Sequence, residues 1–117
     1  MPYLEIPWVP EEKDGDLICV VAEDFSLAPW GLNVTIQKGF RSDGMSVPRF
    51  FWRSVGPRIA PKTIGPSIAH DYLYSVHVIG RSAADRWYRE VLIGNGYSRI
   101  RAYEVWLGVR IGGGSHW

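Results

Sequence analysis

Cysteine is almost absent from this sequence, and so are long hydrophobic runs. The single residue, Cys19, excludes an internal disulfide, and in its apolar surroundings (residues 17–21) we expect a small buried hydrophobe rather than a nucleophile. No apolar stretch approaches the length of a membrane span, and residues 1–10 lack the features of a signal peptide. We therefore expect a soluble protein made in the cytoplasm.

An excess of charge of either sign is also missing. The chain has 13 basic and 12 acidic residues and a net charge of +1, which argues against bulk electrostatic binding of nucleic acid. Six Trp and six Tyr indicate either a compact aromatic core, the favoured interpretation, or a contact surface. A length of 117 residues suits one domain that buries its own core without disulfides or a structural metal.

The pattern along the chain predicts a single α+β domain, with a small N-terminal antiparallel β layer followed by about three helices. Alternating and β-branched residues predict two strands, 16–25 and 32–40, that pair as a hairpin. The whole of residues 1–117 then divides into an N-terminal arm that ends in a turn (1–15), the β hairpin (16–40), a loop and helical region (41–112) and a loose tail (113–117).

Proline and capping signals predict where the helices begin. The expected elements are a short turn at 49–54 and helices over 66–76, from Ser82 to Gly94, and from Ser98 to Gly112. Ser82 and Asp85 have the spacing of a capping box, so Asp85 has a structural interpretation as well as a functional one.

The adjacent pair His70-Asp71 is the strongest candidate for chemistry. Neighbouring residues on a helix point about 100° apart, so these two side chains serve different partners rather than each other. Tyr74, one turn beyond His70, is placed to wall the same cleft. A helix with a polar flank is the plain alternative.

Two further carboxylates complete the candidate site. Asp43 precedes Gly44 in a loop, where both residue types are also common in ordinary turns. Asp85 lies near His70 if the two helices pack antiparallel, and it can then orient the imidazole. Together these residues supply a general base, an orienting carboxylate and oxygen ligands, which suit Ca²⁺ or Mg²⁺ rather than zinc.

The segments Gly39–Phe50, His70–Tyr74 and Arg81–Asp85 resemble a family of small bacteriophage and prophage proteins known only as a domain of unknown function. The resemblance covers roughly residues 16–112. It implies a phage origin, hence the host cytoplasm or the virion, and supplies no activity.

The helix motif His70-Asp71-x-x-Tyr74 is also similar to that of secreted phospholipases A2, above all their disulfide-poor bacterial and fungal branch. This resemblance implies that His70 activates water and Asp85 orients His70. It further implies that Asp71, Asp43 and a backbone carbonyl near Gly44 hold Ca²⁺. The metal would polarise the ester carbonyl.

The sequence also departs from the phospholipase A2 pattern, and alternative functions remain open. Met45 and Leu73 stand where that family has cysteines, and the part before Phe40 is not covered. The leading hypothesis is a phage-encoded, Ca²⁺-dependent ester hydrolase that acts on envelope phospholipid or another membrane surface. The alternatives are a non-catalytic virion, tail-assembly or host-defence-binding protein with a phage or host protein partner, and a nucleotide or peptidoglycan hydrolase. The candidate substrate-pocket residues are Ser46, Phe50, Trp52, Tyr74 and Arg81.

Overall fold

The computed structural model describes residues 1–45 and 52–117, with the backbone alone at residue 52. The predicted turn at 49–54 therefore lies partly outside the described residues. Within them the elements are β1 (Trp8–Lys13), β2 (Asp16–Val21), β3 (Phe25–Ser26), β4 (Thr35–Ile36), β5 (Arg41–Ser42), α1 (Trp52–Val55), α2 (Pro61–Val76), α3 (Arg81–Gly94) and α4 (Arg99–Gly112). The α+β class predicted from the sequence is confirmed.

The hairpin lies earlier in the chain than the sequence predicted. β2 pairs antiparallel with β1, and the turn between them places Asp14 and Gly15 at positive φ, as a tight two-residue hairpin turn requires. The assignment of residues 1–15 to an arm was wrong for residues 8–13, which form β1, although the turn predicted at its end is present. β1 is an edge strand, where proline is tolerated.

The predicted antiparallel pairing of 16–25 with 32–40 is confirmed in part, because Val21 exchanges backbone hydrogen bonds with Gly39 and Phe40, and Phe25 pairs with Ile36. β2 ends at Val21 and has β5 as its second neighbour, while β3 and β4 form a separate two-stranded sheet. The link between β3 and β4 contains a 3₁₀ turn over Ala28–Trp30 that ends at Gly31 in the left-handed conformation. Of residues 32–40, Thr35 and Ile36 alone lie in a strand, so the predicted second strand is much shorter in the structure.

Helix α2 begins at Pro61, and Pro66 is inside the helix rather than at its start. A proline in a helix interior leaves the carbonyl four residues earlier without its usual donor. Here that carbonyl belongs to Lys62, and it accepts from Asn95 Nδ2 at 3.0 Å. The buried Asn95 also bonds the backbone N–H and C=O of Leu4, so it ties the N-terminal segment to the helical layer.

Helix α3 begins one residue before the predicted cap. Gly80 is its N-cap and supplies no side chain, so the capping box of Ser82 and Asp85 is not formed and Asp85 turns inward instead. Ser98 does cap α4, as predicted, by accepting from the N–H of Arg101. The tail is not loose: residues 113–116 form a 3₁₀ turn, and Trp117 stacks on His77 with ring centroids 3.8 Å apart.

The core places α2 between the strands and the other helices. One cluster joins Ile64, Ile68 and Ala69 of α2 to buried residues of the β layer, and another joins α3 to α4. Cys19 is buried in the first cluster, as expected. The described helices include none that is long and apolar enough to cross a membrane.

Candidate functional site

The centre of the site is a buried contact between His70 and Asp85. His70 on α2 is 5% exposed and Asp85 on α3 is fully buried, and 2.7 Å separates Nε2 from Oδ1. The contact forms because α2 and α3 pack side by side with Asp85 in the second turn of α3. The sequence anticipated this proximity, on the condition that the two helices pack antiparallel.

Asp85 is ionised despite its burial. Burial raises the pKa of Asp85, but hydrogen bonds from His70, Tyr74 and Arg110 outweigh it and hold the pKa below its ordinary value. An ionised carboxylate only accepts hydrogen bonds, so His70 donates through Nε2–H. Burial lowers the pKa of His70. The ring is then a neutral imidazole whose Nδ1 is an acceptor.

Three further groups hold the Asp85 carboxylate. Tyr74 donates its hydroxyl to Oδ1 at 2.6 Å, and Arg110 of α4 donates Nη1 to Oδ2 at 2.8 Å. Arg81 lies 4.0 Å from Oδ2 and donates to Tyr74 and to the carbonyls of Val109 and Arg110. The negative charge of Asp85 is thereby compensated by two arginines, Arg81 of α3 and Arg110 of α4.

Two tyrosines fix the plane of the imidazole. The Tyr88 ring stacks on His70 at 4.3 Å and 19°, and the Tyr74 ring lies at 4.4 Å with a tilt of 46°. The Tyr88 hydroxyl is in turn hydrogen-bonded to Ser67 Oγ at 2.7 Å. His70 therefore has little freedom to rotate away from Asp85.

Asp71 faces the β layer, away from Asp85. Ser42 of β5 donates Oγ–H to Asp71 Oδ2 at 2.6 Å, and the same Oγ accepts from the N–H of Gly44 at 3.1 Å. Burial, assisted by the nearby charge of Asp43 and opposed by the Ser42 hydrogen bond, raises the pKa of Asp71 to about 7. The adjacent His and Asp thus serve two different partners, as the helix geometry predicted.

The loop at Asp43 and Gly44 packs against Arg58. The Arg58 guanidinium donates to the carbonyls of Asp43 and Leu17, and its own carbonyl accepts from the N–H of Met45. Gly44 has φ +87°, and a Cβ there would lie 2.5 Å from the Arg58 carbonyl oxygen. Only glycine fits this backbone at this distance.

Replacing Gly44 with alanine should lower the free energy of unfolding by roughly 2–4 kcal/mol, because positive φ and a backbone clash add together. Gly39→Ala is the matched control, since Gly39 has φ +90° and a Cβ added there would meet no atom within 4 Å. Urea denaturation of both variants separates the cost of positive φ, which both share, from the cost of the backbone clash, which only Gly44→Ala has. Equal losses in the two variants would contradict the close approach at Gly44.

The site opens into a cleft of about 720 Å³ between the β layer, α2 and α4. The cleft is lined by His70, Asp71, Tyr74 and Tyr88, by Ser42, Asp43 and Gly44, by Lys13 and Arg41 from the strands, and by Gly108, Val109 and Gly112 from α4. The lining combines charged and polar side chains with apolar ones, among them Ile18 and Phe40 from the β side and Val109 from α4.

Most of the site residues predicted from the sequence lie in or beside the cleft. His70, Asp71, Tyr74, Asp43 and Gly44 all line the cleft, and Asp85 lies behind His70. Arg81 contributes internal hydrogen bonds beside Asp85. The predicted positions Ser46 and Phe50, and the side chain of Trp52, lie outside the described residues.

The described residues contain no cluster of three or more His, Cys, Asp or Glu side chains that could hold a metal ion. A cation in the cleft would therefore rely on Asp71 and Asp43 together with backbone carbonyls and water. This donor set is all oxygen, which suits Ca²⁺.

Sequence reasoning missed four contributors to the site: Ser42, Ser67, Tyr88 and Arg110. Ser67 lies one turn before His70 on α2, and Tyr88 one turn after Asp85 on α3, so helical spacing offered a signal for these two. Arg110 lies 25 residues from Asp85, and no local pattern marks it.

Comparison with known families gives one match. The model of the family described as "Protein of unknown function (DUF1353)" matches residues 19–109. The chain belongs to the DUF1353 family. No curated protein and no solved structure matches it.

The segment that matches DUF1353 begins inside β2 and ends in α4. It includes His70, Asp71 and Asp85, whereas β1 and Arg110 lie outside it. Membership confirms the sequence-based assignment to a family of unknown function.

Proposed function

We propose that this DUF1353 protein is a Ca²⁺-dependent ester hydrolase of phospholipase A2-like type that acts on phospholipid. The observation that carries the proposal is the Asp85–His70 pair, with Nε2 of the histidine 2.7 Å from a buried, ionised carboxylate at the edge of an open cleft. The His-Asp-x-x-Tyr resemblance, which implies that Asp85 orients His70, supports the same proposal, and the Tyr74 hydroxyl donates to the same carboxylate oxygen.

In this proposal His70 is the general base. Its Nε2–H is committed to Asp85, and no described residue bonds Nδ1, so Nδ1 can take a proton from a water molecule that attacks the ester carbonyl. The same proton then goes to the leaving alkoxide. Asp85 stabilises the imidazolium that forms between the two transfers, and the tyrosine rings keep the imidazole in place.

Asp71, Asp43 and the carbonyl of Gly44 would hold Ca²⁺, which when bound would polarise the ester carbonyl and stabilise its oxyanion. Ser42 orients the Asp71 carboxylate towards that role through its hydroxyl. The mixture of charged and apolar side chains in the cleft suits a substrate with a polar head and an acyl chain.

We also propose a phage origin, supported by the resemblance of the Gly39–Phe50 and His70–Tyr74 segments to phage and prophage proteins. A phage would use such an enzyme against the host envelope. The non-catalytic alternative gains support only if the cleft fails the tests below.

The deciding experiment measures fatty-acid release from phospholipid vesicles with Ca²⁺ and with chelator. His70→Gln keeps a donor for Asp85 but is a far weaker base, so activity should fall by roughly 10²–10⁴-fold. Ser75→Ala, which lines the same cleft, is the matched control and should keep its activity. Calorimetric titration of Ca²⁺ into the wild type and Asp71→Ala tests the metal independently.

Two outcomes would contradict the proposal. A folded wild type that binds no Ca²⁺ would remove the calcium mechanism. Activity that survives in His70→Gln would remove the histidine as the base.

A further inference from the structure

Helix α4 carries an apolar stripe that stays largely exposed, although the Arg89 guanidinium lies 4.5 Å from the centre of the Tyr103 ring. Ile100, Tyr103 and Leu107 are 74%, 47% and 44% exposed, and together they line a shallow groove of about 420 Å³. The opposite face of α4 supplies the buried residues Ala102 and Val105 to the core. The stripe is therefore additional to what the fold requires.

The spacing of the stripe matches a coiled-coil seam. Ile100, Tyr103 and Leu107 follow one another at intervals of three and four, the positions a, d and a of a heptad.

Two charges flank the stripe at the spacing that parallel pairing uses. Arg99 precedes the first a position and Glu104 follows the d position, so they occupy g and e positions five residues apart. Neither belongs to an ion pair with any other described residue. In a parallel pair, a g residue of one helix lies beside the following e residue of the other.

We propose that the stripe is the contact surface of a homodimer, in which two copies of α4 pair in parallel about a two-fold axis. Each Arg99 then lies beside Glu104 of the other copy, so two equivalent ion pairs border the apolar seam. Antiparallel pairing about a two-fold axis would instead place the same edge of both helices together, so Arg99 and Glu104 would lie on different borders and would not pair.

The dimer leaves the clefts open. Gly108, Val109 and Gly112 line the cleft from the other side of α4, so pairing through the stripe does not cover His70. A seam on one helix of 14 residues falls at the small end of interfaces, below roughly 1,200 Å², and gives a weak, concentration-dependent dimer.

Sedimentation equilibrium of the full chain over a hundredfold concentration range tests the proposal. We expect a reversible monomer–dimer equilibrium, and Ile100→Glu with Leu107→Glu should weaken it by more than tenfold, because charges are buried in the seam. Circular dichroism checks that these exposed substitutions leave the fold intact.

Charge reversal tests the parallel arrangement. Arg99→Glu alone and Glu104→Arg alone should each weaken self-association, because like charges then meet at both borders. A mixture of the two single variants should associate at least as well as the wild type, since both borders regain opposite charges. Ile100→Cys should form a disulfide-linked dimer, while Arg101→Cys, on another face of the helix, should not.

Several results would overturn the proposal. These are a wild type that stays monomeric at every concentration, a dimer that tolerates the double glutamate variant, and a mixture no better than its components. A monomer whose stripe instead binds phospholipid vesicles would assign the surface to a membrane.

Discussion

Replacing Asp85 with alanine should lower the free energy of unfolding at pH 7 by about 3–5 kcal/mol, because the change leaves a buried charge network without its anion. Arg110 would lose its partner at 2.8 Å, and both His70 Nε2 and the Tyr74 hydroxyl would lose their acceptor. The whole free energy of unfolding of a domain is about 5–15 kcal/mol, so the loss is a large share of its stability. Urea denaturation measures it directly.

Two other variants calibrate this result. Asp85→Asn keeps the shape of the side chain, but its amide N–H₂ replaces one carboxylate oxygen and cannot accept from the donors on that side. We therefore expect an intermediate loss in the free energy of unfolding. Asp43→Ala removes an exposed carboxylate from the same cleft and should cost less than about 0.5 kcal/mol. A loss below about 1 kcal/mol in Asp85→Ala would show that the network does not stabilise the fold.

Replacing Asp71 with asparagine should stabilise the protein at pH 8 in the absence of Ca²⁺. The pKa of Asp71 is about 7 in the folded protein against an ordinary 3.8, so folding favours the neutral carboxyl. That contribution is fully present below pH 4 and is lost as the pH rises through 7, by at most about 4 kcal/mol. Asparagine stays neutral and keeps an acceptor for Ser42.

The measurement is Tm at pH 4 and at pH 8 for the wild type and Asp71→Asn, with chelator present. The variant should unfold roughly 10 °C higher than the wild type at pH 8, and the difference should shrink at pH 4. Glu90→Gln, on the outer face of α3, controls for the loss of one charge. A pH-independent difference would show that Asp71 is not held neutral.

Added Ca²⁺ extends the same test. If Asp71 is a ligand, Ca²⁺ should raise the Tm of the wild type at pH 8 and leave that of Asp71→Asn almost unchanged. The aspartate would then be a residue whose ionised form costs stability and serves binding.

The helical half of the fold was largely predictable, because its signals are local. Ser98 as a cap, glycines at helix ends and the apolar stripe through Tyr88 and Leu92 each act over one or two turns. The strands were predicted less completely, because pairing depends on residues far apart in the chain. β2 pairs with β1 on one side and with β5 on the other, and β1 was not predicted from the sequence.

In the site, too, local features were predictable and contacts between distant residues were not. The sequence predicted that His70 and Asp71 face different partners, since neighbours on a helix always diverge by about 100°. It also proposed Asp85 as the partner of His70, but it left a capping role open. That choice depended on where α3 begins: with Gly80 as the N-cap, Asp85 lies in the second turn and faces the core instead of capping the helix.

By itself, the sequence determined the α+β class, the absence of an internal disulfide, and the segment where the candidate chemistry lies, because these follow from composition and short-range spacing. Only the tertiary structure decided that Arg110 compensates Asp85, that Ser42 holds Asp71, and that Asn95 bonds the carbonyl left open by Pro66. Each of these contacts joins residues 25 to 33 positions apart, and their meeting depends on how whole elements pack.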